Sequence, residues 1–445
     1  MSLLRFFFII IFLLLPQQQA LFAADPTYLV IGENVRWQGE ILLSQPILVA
    51  AGVQLEIAPG TVISSLAREN GIRVEGALLA TGTEQQPISF NAPAGWVGIE
   101  LVQSAIESHF AYVNFRSAAT AISSSLSRFR IEHTQFQECD IAVLLHRQSI
   151  PTIEKSSFIG NRIAVDIEMR SQAVVRNNLF RDNKTAVQAS HNSGGELSGN
   201  IFLNNEQGIR LQHLFLGLIT DNRFEKNTLA LLCDQTMESP QIINNEFIEN
   251  QQGLVSMLAS RPLVKNNRFS RNQQALVNNQ LGNPRIEANL FSDNQIAIVS
   301  ERRSAPQIEL NQFVSNELAL HCDYLSYPIV RQNNFTDTRM AVRLGDHQSA
   351  DMEKQGKSQQ DVQSFLSESG RQGKMAVFDP VTGVVDMRDN WWGLPAGSAL
   401  APLFYDRNQS EWVVDDTSGE RYLRDLVEFS PWLKQPVANA GIQNQ

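Results

Sequence analysis

The sequence predicts an all-β chain wound as a right-handed parallel β-helix, a solenoid of ~22-residue coils with one loop insertion and a C-terminal cap. Three observations predict it: one aromatic residue recurring at a fixed interval, other residue types held in register with it, and apolar spacing of two within each interval. Phe stands at 115, 136, 158, 180, 202, 224, 247, 269, 291, 313 and 335, always 21 to 23 residues apart. A period of this size is the mark of a repeat architecture.

The other columns keep the same register. Two residues before Phe stands Asn, from Asn178 through Asn222 and Asn267 to Asn333. Three after Phe stands Asn again, from Asn161 to Asn316. The sixth residue after Phe is Ala or Gly, the seventh is aliphatic, and Pro precedes Phe by seven at Pro151, Pro240, Pro262, Pro284, Pro306 and Pro328. Apolar residues two apart mean strands, and no interval holds a 3.6-residue stripe of helical length. Twenty-two residues fit three short strands and three turns better than a strand, a helix and two loops. Coils then stack about 4.8 Å apart with hydrogen bonds between them. Parallel crossovers are right-handed almost without exception, which gives a solenoid. A leucine-rich repeat has a similar period but needs a leucine pattern that this chain lacks.

That architecture gives each column a job. Stacked Phe rings fall within favourable aromatic range, and each buried ring contributes about 1.5–3 kcal/mol. Asn columns form amide ladders, and Asn tolerates the left-handed conformation of a tight turn. Pro fixes the turn that enters a strand.

The ends depart from the repeat. Residues 1–24 carry Arg5, an apolar run from Phe6 to Leu15 and small residues at Ala23-Ala24, the pattern of a secretory signal peptide. Ten apolar residues span about 15 Å as a helix, half of a bilayer core, so no membrane span is expected after cleavage. Residues 25–110 are read as an N-terminal cap and first coils, and 111–393 as the regular β-helix. Phe335 to Trp392 is 57 residues, 35 more than one coil, which places a polar insertion at 345–377 with a short helix at 360–367. The aromatic-rich 394–433 is read as a C-terminal cap, since an open solenoid end leaves strand groups unpaired. Residues 434–445 are read as a disordered tail.

Stretches near the two ends of the repeat add a resemblance. Val53 to Ile63, Gly76 to Thr83 and Trp96 to Ile99 look like the first coils of bacterial right-handed β-helix repeat proteins, the pectate-lyase-like superfamily. Asn390-Trp391-Trp392-Gly393 resembles a motif at which such helices end. The resemblance spans roughly 27–393. It implies an exported protein, periplasmic or extracellular, that meets polysaccharide. The superfamily includes lyases, hydrolases, epimerases and non-catalytic scaffolds, so it fixes no reaction. Neither the Asp-Pro-His-Asp run of alginate epimerases nor the paired Asp of polygalacturonases occurs.

Composition narrows the partners. Lys plus Arg is 36 against 46 Asp plus Glu, a net charge of −10 without a basic cluster, which argues against nucleic acid and anionic membranes. Cys139, Cys233 and Cys322 are too few and too scattered for a disulfide framework, and read as buried small hydrophobes. No signature of a particular oligomer is present, so the expectation is a monomer or an oligomer of unspecified order.

Candidate site residues must point outward. If residues seven and nine after Phe face in, those eight and ten after Phe face out. These rows bring Glu301, His321, Asp323 and Arg343 together beside the insertion, an acid–base set suited to proton abstraction next to a carboxylate. Stacked Glu301 and Asp323 would raise one pKa or attract Ca2+. A second cluster, His146, Asp166 and Glu168, is read as a binding site. A solvated polar face is the plainer explanation of both. Leu232, Val255, Val277 and Val299 form an apolar row between them, which suggests a covered surface. The function expected is binding or processing of a polysaccharide or other extended polymer at the cell envelope, with a non-enzymatic structural or adhesive scaffold as the alternative.

Overall fold

The structure is a computed structural model that describes residues 28–237, 240–351, 381–394, 399–409, 412–414, 419 and 421–442. The signal peptide read at 1–24 and the helix read at 360–367 lie outside the described residues.

Each coil gives one strand to each of three parallel sheets. One full coil comprises Gln207–Gln212 in the first sheet, Leu216–Thr220 in the second and Arg223–Glu225 in the third. The first two sheets hold 16 strands and the third 14, each strand pairing with its counterpart one coil away. The register sets Phe202 on Phe224 and Phe224 on Phe247. From Phe90 to Phe335 successive rings lie 4.6–5.1 Å apart and within 11° of parallel. The rings are buried inside the tube and form one continuous core with the aliphatic columns. Trp392 continues the stack at 4.7 Å from Phe335, and Asn390 continues the asparagine column above Asn333. The Asn-Trp-Trp-Gly run is thus the last rung in the same register, and the insertion opens between a first-sheet strand, Met340–Leu344, and a second-sheet strand, Val384–Asp386.

The two asparagine columns line the corners on either side of the third sheet. In each, one side chain spans three coils. The Oδ1 of Asn245 accepts from both the backbone N–H and the Nδ2 of Asn222, each at 3.0 Å. Its Nδ2 donates to the carbonyls of Ile219 at 2.9 Å and Ile243 at 3.0 Å and to the Oδ1 of Asn267 at 3.0 Å. These amides therefore satisfy corner backbone groups that no strand can reach. The conformational reason given for Asn above is corrected here. The left-handed residues sit immediately before each ladder residue, three before Phe and two after it, as at Asn177 (φ 56°) and Asp182 (φ 57°) around Phe180. Lys155, Arg271, Glu249, Ala288 and Leu310 take the same conformation. Stacked hydrogen bonds impose it, so residue type matters little there.

Beyond Gly393 the chain adds part of another rung. Phe404–Tyr405 pairs with Met340–Leu344, and Leu426–Glu428 pairs with Val384–Asp386. The tail also differs from expectation. Residues 434–442, read as disordered, return along the helix: Val437 exchanges two hydrogen bonds with the Asn334 side chain, at 2.9 and 3.0 Å, and the N–H of Gly441 donates to the Leu310 carbonyl at 2.7 Å. These bonds satisfy polar groups at the corner after the second sheet, which the sequence alone gave no reason to assign to the tail.

Candidate functional site

The outer face of the first sheet carries both predicted clusters. Its strands alternate as expected: in Gln207–Gln212, Ile209 and Leu211 are fully buried while Arg210 and Gln212 are partly exposed. One row runs Leu144, Asp166, Gln188, Arg210, Leu232, paired position by position between coils. The row two residues on runs from His146 through Glu168 and Gln212 to Asp234.

The structure brings His146 and Glu168 together, with Nδ1 and Oε2 3.1 Å apart. Asp166 lies beside them but is buried, with 4% of its surface exposed. Burial and, behind it, the neighbouring Glu168 push its carboxyl up to about 7, against the pull of Arg162 and Gln188. Its Oδ1 has no hydrogen-bond partner. A carboxyl whose folded pKa is raised binds its proton in the folded state while the unfolded chain has released it. Stability is therefore full below the unfolded value and falls as pH rises through about 7. We expect Asp166→Asn to be more stable than the parent at pH 8, by about 4 kcal/mol at most, and equally stable at pH 4. Urea denaturation at the two pH values checks this.

The other cluster is only partly assembled. His321 and Arg343 face each other in adjacent strands, and the His321 ring nitrogen Nδ1 lies 3.2 Å from the Arg343 carbonyl. Arg343 lies 5.7 Å from the centre of the Tyr405 ring. Asp323 is held elsewhere: its Oδ1 accepts from the N–H groups of Tyr324 at 2.9 Å and His347 at 2.8 Å. Among the described residues, no hydrogen bond or ion pair joins Glu301 to the other three side chains. The backbone N–H groups of Tyr324 and of His347, the latter at the start of the insertion, thus compete for the carboxylate on which the acid–base reading and the Ca2+ reading both depend.

The apolar row is Leu232, Val255, Val277 and Val299, packed with Leu229, Met257 and Ile296. It lies on the outer side of the sheet yet is nearly buried, because each aliphatic side chain is shaded by the one about 4.8 Å above it and by the flanking rows.

One feature of this face escaped the sequence. Of the buried side-chain atoms without a hydrogen-bond partner, Asp166 Oδ1, Gln207 Oε1, Arg210 Nε and Asp234 Oδ1 all lie on it within three coil steps. Buried polar atoms are normally paired, so this strip holds a concentration of unused donors and acceptors. Row adjacency was legible; which groups the protein itself satisfies was not.

Two families match parts of the chain. Residues 217–353 match the right handed beta helix region family, and residues 111–257 match the family described as periplasmic copper-binding protein (NosD). No curated protein matches. Solved structures overlap it loosely. A tailspike double mutant of E. coli bacteriophage HK620 in complex with pentasaccharide is 12% identical, covers 72% of this chain and 74% of its own, and has a TM-score of 0.34. A mutant of the periplasmic alginate epimerase AlgG is 12% identical, covers 90% and 78%, and has a TM-score of 0.26. Overlap of this extent bears on neither substrate nor reaction.

The side chains of the described residues do not fit a copper centre. Among the described residues, no three His, Cys, Asp or Glu side chains are grouped to hold a metal. Soft thiolates would be the natural copper(I) ligands. All three Cys are buried, and burial pushes the Cys139 thiol up to about 11 and also raises those of Cys233 and Cys322. His191 and His213 stack ring on ring at 5.4 Å, and the His191 Nδ1 is engaged by the Ser190 hydroxyl at 2.8 Å. Among the described residues no helix is long and apolar enough to cross a membrane.

Proposed function

For this right-handed β-helix repeat protein we propose a binding role: it holds an extended polysaccharide along the outer face of its first sheet, outside the cytoplasm. The observation that carries this reading is the strip of unpartnered polar atoms at Asp166, Gln207, Arg210 and Asp234. The coils repeat about every 4.8 Å, so a linear polar chain laid along the axis meets a partly exposed polar side chain on each successive coil, Gln188, then Arg210 and Gln212, then Asp234, with the buried unpartnered atoms behind them. Gln188 and Gln212 add neutral amides between the charged groups, a mixture suited to sugar hydroxyls. The signal-peptide pattern at 1–24 and the periplasmic description of the family matched at 111–257 support export. Binding rather than catalysis is favoured because Asp323 is tied to backbone N–H groups.

The test is affinity electrophoresis of the full chain against a panel of acidic and neutral polysaccharides, with and without calcium. At least one glycan is expected to retard the protein. Arg210→Ala removes a guanidinium from the strip without touching the core and is expected to weaken retention about tenfold, the usual worth of a charge-assisted hydrogen bond. Retention by no glycan, or retention indifferent to Arg210→Ala, contradicts the proposal.

A further inference from the structure

A second cleft lies away from the first sheet, at the corner that enters the third. The residue three before Phe heads each turn there: Tyr112, His133, Lys155 and Asn177 in successive coils, all left-handed (φ 52°, 50°, 49° and 56°). The rings of Tyr112 and His133 stack at 4.7 Å and 4°. Together with Glu84 they line an open cavity of about 460 Å³, within the range of small-ligand sites. The asparagine column is interrupted at this place. Thr134 and Ser156 stand where Asn178 and its successors stand below, and both line the cleft.

Several acids and bases one coil apart pair with each other, as Arg116 does with Glu138 at 3.3 Å, Arg176 with Glu154 at 2.7 Å and Arg223 with Glu246 at 2.9 Å. Lys155, His133 and Glu84 have no ion-pair partner among the described residues, although all three border one cavity.

We propose that this cleft binds a single sugar unit bearing a carboxylate. The stacked Tyr112–His133 pair offers its ring edges and outer ring faces to the C–H groups of a pyranose, with a phenol hydroxyl beside them. Lys155, next along the column, supplies the charge-assisted bond to the carboxylate. Glu84 and Asn177 take the ring hydroxyls. The site is separate from the strip of the first sheet and does not depend on it.

Ligand-observed NMR titration of the full chain with methyl glucuronide and methyl glucoside tests this, because the two differ only in carboxylate against hydroxymethyl. Saturable binding of the glucuronide, at least tenfold tighter than that of the glucoside, is expected. Lys155→Gln, a substitution at an exposed corner, should abolish the preference, and Tyr112→Ala should weaken both sugars. Arg210→Ala should change neither titration, which separates failure of this cleft from failure of the strip. Absence of saturable glucuronide binding, equal affinity for the two sugars, or a preference that survives Lys155→Gln overturns the proposal.

Discussion

Asn245→Leu is expected to destabilise the protein by about 3–5 kcal/mol, although Leu matches the apolar character of the surrounding core. Asn245 is 1% exposed and serves three coils. Its loss removes the acceptor for the Asn222 N–H and a donor to the Ile219 carbonyl. Each buried group left unpaired costs about 1–3 kcal/mol. The Nδ2 of Asn222 is spared, because it also reaches the Leu197 carbonyl at 2.8 Å and the Thr220 carbonyl at 2.9 Å. The adjacent Asn244 is the internal control. It sits in the left-handed column (φ 58°) that holds Lys155, Ala288 and Leu310 in other coils. Asn244→Lys should therefore stay within about 1 kcal/mol of the parent. Guanidinium denaturation of the two variants side by side checks both values. Equal losses would mean that the amide column is not what fixes the corners.

Phe224→Ala is the second large effect. The ring is fully buried between Phe202 at 4.7 Å and Phe247 at 4.8 Å. Truncation leaves a cavity that the rungs above and below cannot close, since main-chain hydrogen bonds hold the coil spacing. Such substitutions cost about 3–5 kcal/mol, and lost stacking with two neighbours adds to this. Phe224 lies in the middle of the array, and a solenoid's stability is close to a sum over neighbouring rungs. We expect thermal unfolding of the variant to broaden or split as well as shift downward. A single transition of unchanged sharpness would show that the rungs do not behave as semi-independent units.

Much of this architecture was legible because stacking puts like on like. Phe115 to Phe335 named the core column, and the 35 residues added before Trp392 located the insertion. The asparagines were visible as columns, but their role was half misread. Sequence shows that Asn178 recurs; it does not show that the turn conformation belongs to Asn177 beside it. Corner residues such as Arg271 and Ala288 leave no compositional trace, because hydrogen bonds to the next coil hold them in place. The candidate site was legible only as rows. Period two correctly sent Asp166, Arg210, His321 and Arg343 outward, but could not tell that His347 N–H captures Asp323 or that Arg210 Nε goes unused. The Tyr112–His133 cleft was missed although its signal was present: the column three before Phe turns aromatic and basic where the asparagine column stops.

The binding strip is tested most directly by the dependence of affinity on ligand length. Asp166 and Asp234 are three coil steps apart, which is about 14 Å along the axis. Oligosaccharides of graded length, cut from whichever polysaccharide retards the protein, should bind more tightly with each added sugar until they span that distance and no more tightly beyond it. The Arg210→Ala penalty should appear only in oligomers long enough to reach the guanidinium. A monosaccharide that binds as well as the longest oligomer, with Arg210→Ala affecting neither, would contradict a linear site on this face.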